Sequence, residues 1–270
     1  MLRRVEPEWL DELPPDDPRA IRSRRDIHRL NAFMGNPKIM AGALRAAFGA
    51  RTFLSAAGSE RSTTLIFSRP FPTSHVTPDR NVRAPDPALN IVDLGAGDGR
   101  LMLEVAKTLS PDWSGTRVTL LDRQSHLSAE TRKHFETLGW HAEPLKTDVL
   151  DWLRQPDSLQ PDAIVANLFL HHFRDPELIE LLRLAAARTK VFIAVEPRRW
   201  TWSFAFSPLF WVLGCGPVTR HDALISIRAG FAGCELSALW PAHENWSMEE
   251  APTSLASHLF VAKRVAPSMP

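Results

Sequence analysis

The chain has 270 residues, 44% of them hydrophobic and 23% charged, enough for a core of ordinary size and near the upper limit for a single one. Thirty-two Lys and Arg stand against 31 Asp and Glu, a formal net charge of +1. No surplus positive field is present to gather nucleic acid or anionic lipid, so a polyanion partner is disfavoured.

Two cysteines, Cys215 and Cys234, make neither a disulfide framework nor the paired spacing of a zinc site; they suit a reducing compartment, and no metal is expected. The N-terminus lacks the uninterrupted apolar core of a signal peptide. The most apolar later stretch, 200–214, is short and carries Pro208, so no membrane insertion and a cytoplasmic location are expected. There is no tyrosine, which removes the phenol from the available catalytic groups.

Residues 1–18 are acidic and proline-rich (Pro7, Pro14, Pro15, Pro18), and are expected to lie loose or draped on the surface, because such a composition buries little. From Asp17 onward, Ile21, Ile27, Leu30, Phe33 and Met34 keep helical spacing. One or two amphipathic helices are predicted, broken at Asn36-Pro37, since the residue before a proline is pushed out of the helical region. Residues 58–90 hold Pro70, Pro72, Pro78, Pro85 and Pro87 around one β-prone run, TTLIFS (63–68), and read as a loop-rich connector.

From Asn90 short β-prone runs alternate with helix-compatible stretches, the pattern of βαβ units around a mainly parallel sheet. Strands are predicted at IVDL (91–94), RVTLLD (117–122), HAEPLK (141–146), DAIVANL (162–168), KVFIAVE (190–196), CELSALW (234–240) and SHLFVAKR (257–264). Helices are predicted at 100–109, 128–139, 149–153, 176–188 and in HDALISIRAG. The expected fold class is α/β: a Rossmann-like, seven-stranded, mostly parallel sheet flanked by helices, over residues 89–265. Residues 1–88 are read as a helical and loop extension serving as a lid or acceptor-site cap, and 266–270 as a disordered tail.

IVDL runs into Gly95-Ala96-Gly97-Asp98-Gly99 and then a helix. The glycines let the backbone turn tightly and approach a ligand closely, while the helix N-terminus offers free N–H groups. The dinucleotide fingerprint wants G-x-G-x-x-G; here Arg100 stands where its last glycine belongs, which weakens a nicotinamide-cofactor reading. Asp93 adds an acid that repels a diphosphate and attracts a cation. Asp122 closes the second strand, where an acid can accept hydrogen bonds from both ribose hydroxyls. Thr147-Asp148-Val149 follows the third strand and Asn167-Leu168 ends the fourth. Taken singly, the glycine turn reads equally as a loop and Asp122 or Asp148 as a helix cap; their order at successive strand ends is what points to a pocket.

VDLGAGDG (92–99) resembles motif I of the class I S-adenosylmethionine-dependent methyltransferases, and the resemblance covers about residues 88–265. It implies S-adenosyl-L-methionine as cofactor. By the same resemblance Gly95 and Gly97 lie along its methionine part, Asp93 near its ammonium, Asp122 at the ribose, Asp148 against the adenine amino group with Val149 nearby, and Asn167 at the floor of the site.

Methyl transfer from a sulfonium is an in-line displacement, so the protein must align nucleophile and methyl group, and must take a proton when the acceptor is a hydroxyl or ammonium. Phe169-Leu170-His171-His172-Phe173 follows the fourth strand at the carboxyl edge of the sheet, where ligands bind. His171, and next His172, is the candidate base, with packing or capping as the alternative role. Glu196, His221 and Asp222 are the other candidates, Glu196 being equally a partner for Arg198 or Arg199.

The Asn/Asp-Pro-Pro-aromatic motif of relatives that methylate bases or glutamine is replaced by Asn167-Leu168-Phe169-Leu170, which leaves a small-molecule oxygen, carbon or nitrogen. The aromatic stretch 200–211 suits an apolar acceptor, a buried helix or a partner patch. Arg220 and His221 are placed to hold a carboxylate or phenolate, with Thr219 or Asp222 as a helix cap; Arg24, Arg25 and Asn31 read as a lid or as a solvated face. SRRDIHRLN, LFLHHF, EPRR and TRHDALISIRAGF resemble a narrower bacterial group sometimes associated with aromatic polyketide pathways. The expected activity is methylation of a hydrophobic, phenolic or enolic small molecule, oxygen favoured over carbon or nitrogen, with a homo-oligomer allowed. The competing readings are a nucleotide-dependent oxidoreductase and a non-catalytic partner protein of the same fold.

Overall fold

The computed structural model describes residues 2–14, 16–49, 88–124, 127–155, 160–200, 207–241 and 243–265. The TTLIFS run, part of the aromatic stretch (201–206) and the tail 266–270 lie outside the described residues. Among the described residues no helix is long and apolar enough to cross a membrane.

Strands β1 (Asn90–Leu94), β2 (Arg117–Asp122), β3 (His141–Lys146), β4 (Ala163–Asn167), β5 (Val191–Pro197), β6 (Trp246–Pro252) and β7 (Ser257–Arg264) form a seven-stranded sheet in the order β3-β2-β1-β4-β5-β7-β6. The pairs from β3 through β5 are parallel, and β7 joins antiparallel to β5 and to β6. The expected Rossmann-like architecture is what the described residues adopt. The chain order reverses between β1 and β4, so the carboxyl ends of these two strands frame the crevice where open α/β sheets bind ligands.

Period-two alternation divides the core into two layers. Ile91 of β1 packs with Met102, Leu103 and Leu109 of α4 (Arg100–Leu109) and with Phe135 of α5 (Ala129–Thr137). Val92 and Leu94 face the opposite side, toward Trp152 of α6 (Val149–Arg154) and Leu178, Leu181 and Leu182 of α7 (Asp175–Arg188). The N-terminal extension is part of the first layer: after α1 (Trp9–Glu12) and α2 (Pro18–Met34), α3 (Asn36–Phe48) puts Met40, Leu44 and Phe48 into the same cluster as Ile91 and Met102.

Three local expectations are corrected. CELSALW is a helix, α10 (Glu235–Leu239), following α8 (Ser207–Val212) and α9 (Pro217–Ala229). Its buried residues Leu236 and Trp240 lie four apart, a helical repeat, and the Glu250 carboxylate accepts from the N–H groups of Leu236 (3.1 Å) and Ser237 (2.7 Å) at the helix start. The sixth strand is instead WSMEEAP. The helix break falls at Gly35, φ 74°, where α2 ends, while Pro37 opens α3 in its first turn.

Residues 2–12 are also more firmly held than their composition suggests. Arg3 donates to the carbonyls of Ala229 (2.8 Å) and Phe173 (2.7 Å), Arg4 N–H to Arg228 O (3.1 Å), and the N–H groups of Trp9 and Leu10 to the Asp222 carboxylate (2.9 and 3.0 Å). The segment is draped, as expected, but as a strap with buried polar anchors.

Candidate functional site

The carboxyl ends of the parallel strands open into a cavity of about 830 Å³. Nine of the residues singled out from the sequence line it: Asp93, Gly95, Gly97, Asp122, Asp148, Val149, Asn167, His171 and His172. The glycine turn forms one wall. Gly95 (φ 71°) is in the left-handed region, and a Cβ there would lie 2.2 Å from Cδ2 of the Phe169 ring. That position therefore requires glycine both for its dihedral angle and for the close approach of the ring.

The turn is held by the next strand. Gly95 and Ala96 donate to Leu121 O (2.9 and 3.1 Å), and Gly97 N–H donates to Asp122 Oδ2 (2.9 Å); the second Asp122 oxygen takes Gln124 N–H (2.7 Å). Asp122 thus organises the turn, and a carboxylate oxygen has a further lone pair for a ligand hydroxyl. Asp93 is buried, and burial together with the Asp122 charge pushes its carboxyl well above the usual carboxylate range.

Asp148 is the N-cap of α6, accepting from Leu150 N–H (2.8 Å) and Asp151 N–H (3.2 Å), and its other oxygen receives the Arg123 guanidinium (Nε 2.8 Å). Burial raises its pKa, but Arg123 and the two N–H groups outweigh that and hold it below the ordinary value. Val149 is the buried first residue of α6. Asn167 joins a side-chain amide network with the extension: it donates to Asn31 Oδ1 (3.1 Å) and accepts from Asn36 Nδ2 (3.0 Å), while Asn36 Oδ1 accepts from Ser257 Oγ (2.7 Å). Leu168, next in the chain, is a non-glycine residue at φ 49°, a local strain placed at the cavity wall.

The histidines sit on a 3₁₀ turn, Leu170–His172. Glu196, fully buried at the end of β5, fixes that turn: one of its oxygens accepts from Phe169 N–H (3.0 Å) and Leu170 N–H (2.9 Å), the other from His171 Nδ1 (2.8 Å). His171 Nε2 faces Glu8 Oε1 of the strap at 3.4 Å. Burial lowers the pKa of His171, but its hydrogen bonds and charge pairing with Glu196 and Glu8 prevail and raise it to about 9; burial raises that of Glu8, but His171, His172 and Ser226 bring it down to about 2. His172 is about a quarter exposed, with Asp11 Oδ2 at 3.5 Å from Nδ1.

The remaining candidates have structural partners. Arg199 pairs with Glu235 rather than Glu196. Asp222 binds the start of α1 and His221 Nδ1 (2.9 Å), and His221 stacks on Trp9 at 3.7 Å between ring centroids. Thr219 donates to Asp26 (3.0 Å), the buried carboxylate that also takes Gly216 N–H at the head of α9 (2.6 Å). Arg24 and Asn31 line the cavity. Glu8 and Asn36 were not singled out: a lone acid among prolines and an asparagine before proline carry no signal of their own.

The lining also has an apolar part, with Leu30, Phe33 and Met34 of α2 and Leu209, Phe210 and Leu213 beyond β5.

Residues 91–191 match a family described as "Methyltransferase domain". Among solved structures, the chain is similar to an O-methyltransferase family protein from Burkholderia thailandensis (17% identity, TM-score 0.47, over 67% of this chain and 52% of that one). It is also similar to the mitomycin 7-O-methyltransferase MmcR (21%, 0.45, 66% and 49%) and to magnesium protoporphyrin IX methyltransferase from Synechocystis with bound SAM (14%, 0.41, 66% and 71%). The chain spans about half the length of the first two. No curated protein matches it. The family match runs from β1 to the first residue of β5.

Proposed function

We propose that the protein transfers a methyl group from S-adenosylmethionine to an oxygen of a hydrophobic, phenolic or enolic small molecule in the cytoplasm. The observation that carries this reading is that one cavity joins the acidic glycine-turn wall to an apolar wall, with the histidine pair on its lining. Asp93 and Asp122 supply acceptors for a cationic, hydroxyl-rich cofactor; the apolar wall suits an acceptor of low polarity. Such a geometry supplies alignment for in-line displacement. Of the two histidines, His171 has both ring nitrogens engaged by carboxylates, so His172 is the one assigned to act on the acceptor. The extension, through α2 and the strap, caps the acceptor side.

The test is calorimetric titration with S-adenosylhomocysteine. Wild-type protein is expected to bind and Asp122→Ala to bind about 1.5–3 kcal/mol more weakly, the usual magnitude for hydrogen bonds to a charged group. Binding of NADH in place of S-adenosylhomocysteine would overturn the cofactor assignment.

Asp93 gives a second prediction. A carboxyl whose pKa is raised in the free protein must lose its proton to meet an ammonium, so cofactor affinity is expected to rise with pH until the free carboxyl ionises. In Asp93→Asn that dependence disappears and affinity drops roughly tenfold or more. A pH-independent affinity in the wild type would place the cofactor's ammonium away from Asp93.

A further inference from the structure

The strap carries Glu8 to the histidine pair, so that one donor atom each of Glu8, His171 and His172 lies within 4.8 Å of the other two. The separation of 3.4 Å between His171 Nε2 and Glu8 Oε1 is long for a hydrogen bond, which prefers about 2.9 Å. It equals the edge of a tetrahedron of N and O donors around a zinc-sized cation, about 3.3–3.4 Å for bonds of about 2.0–2.1 Å.

Two of the three donors are held by an outer hydrogen-bond partner, and the third has a carboxylate nearby. Glu196 accepts from His171 Nδ1 at 2.8 Å, an arrangement that leaves the Nε2 lone pair of a neutral ring aimed at Glu8. Ser226 Oγ donates to Glu8 Oε1 at 2.5 Å. Asp11 Oδ2 stands 3.5 Å from His172 Nδ1. Charge points the same way: the carboxylates of Glu8 and Glu196 are buried against one imidazole. A proton on that ring balances one of them, whereas a dication beside a neutral ring balances both. Arg3, a neighbouring cation, also feels the Glu196 charge, but its hydrogen bonds go to Asp175 (2.8 Å) and to backbone carbonyls such as that of Phe173.

We propose that Glu8, His171 and His172 bind a divalent first-row transition-metal cation, Zn²⁺ matching the donor set best. Two imidazoles and one carboxylate suit such an ion better than Mg²⁺ or Ca²⁺, which take oxygen ligands. Three protein ligands leave a coordination position open, the pattern of catalytic rather than closed structural sites, and all three residues line the cavity. What the cation does to an acceptor oxygen rests on the methyl-transfer reading; its uptake does not.

The test is titration of the chelator-treated full-length chain with Co²⁺, followed by displacement with Zn²⁺. One cobalt per chain is expected, with the visible absorption of a low-coordinate site. His172→Ala removes a part-exposed donor and no buried charge, and is expected to weaken uptake roughly 100-fold or more, beyond the 10–100-fold usual for a lost outer partner. Glu196→Gln is expected to fall within about 10–100-fold. A thermal melt checks that each variant is folded. Absence of stoichiometric uptake in the wild type, or uptake that folded His172→Ala leaves unchanged, overturns the proposal. S-adenosylhomocysteine titration of the same samples separates that failure from a failure of the cofactor assignment.

Discussion

Replacing Glu196 by alanine is expected to cost about 3–5 kcal/mol of folding stability, the range for removing one partner of a buried ion pair. The carboxylate is fully buried and holds the His171 ring together with the N–H groups of Phe169 and Leu170. Its loss leaves a buried imidazolium short of one carboxylate and two backbone donors without acceptors, and each unmade hydrogen bond adds its own desolvation penalty. Glu196→Gln keeps an acceptor for the backbone and removes only the charge, so it should lose less. Denaturant midpoints of the two variants measure the difference. An alanine variant within about 1 kcal/mol of wild type would show that the turn holds itself.

The same pair sets a pH dependence. The pKa of His171 is raised in the folded protein from 6.5 to about 9, so its contribution is fully present below pH 6.5 and is lost as pH rises through about 9. A shift of this size corresponds to about 3 kcal/mol. The pKa of Glu8 is lowered from 4.5 to about 2; its contribution is present above pH 4.5 and is lost as pH falls through about 2. The Glu8–His171 contact appears in both shifts, so the two are not added. Stability should therefore decline from about pH 6.5 to about pH 9, and less steeply in Glu196→Gln, where the imidazolium has lost a charged partner.

The βαβ half of the molecule was legible because its signals are local. A run such as IVDL ending at a glycine, or an acid closing RVTLLD, declares both a strand and its carboxyl end, and the reversal of strand order then brings those ends together. What was not legible depends on distant partners. CELSALW is short and apolar, a pattern that fits strand or helix; the helix is favoured by Glu250, an acid on another strand. WSMEEAP does alternate, with Trp246 buried and Ser247 and Glu249 exposed. Its acids, the usual protection of an edge strand, mask the alternation. Glu8 sits among prolines in a segment whose composition promises no burial, and it becomes buried because His171, 163 residues later, supplies the counter-charge. Asp148 shows the reverse ambiguity: a helix cap and a cavity-lining acid are the same residue in the same place.

In the metal-free chain, replacing His172 by alanine is expected to lower kcat by roughly 10²–10⁴-fold, the range for loss of a positioned proton-transfer group, with affinity for S-adenosylhomocysteine unchanged. The split follows from the geometry. Cofactor contacts are assigned to the glycine turn and to Asp93, Asp122 and Asp148, whereas His172 lies on the turn after β4 with its ring toward Phe169 and His171. His171 cannot stand in for it, because its two nitrogens face Glu196 and Glu8, and in the metal-free chain those carboxylates raise its pKa. His171→Asn would instead leave two carboxylates buried without their cation, so its effect should fall on stability before turnover. If His172→Ala weakened the cofactor and spared kcat, the histidine pair would belong to the cofactor side of the cavity. The oxygen-methylation assignment would then lose its proton acceptor, leaving an acceptor atom that needs no base.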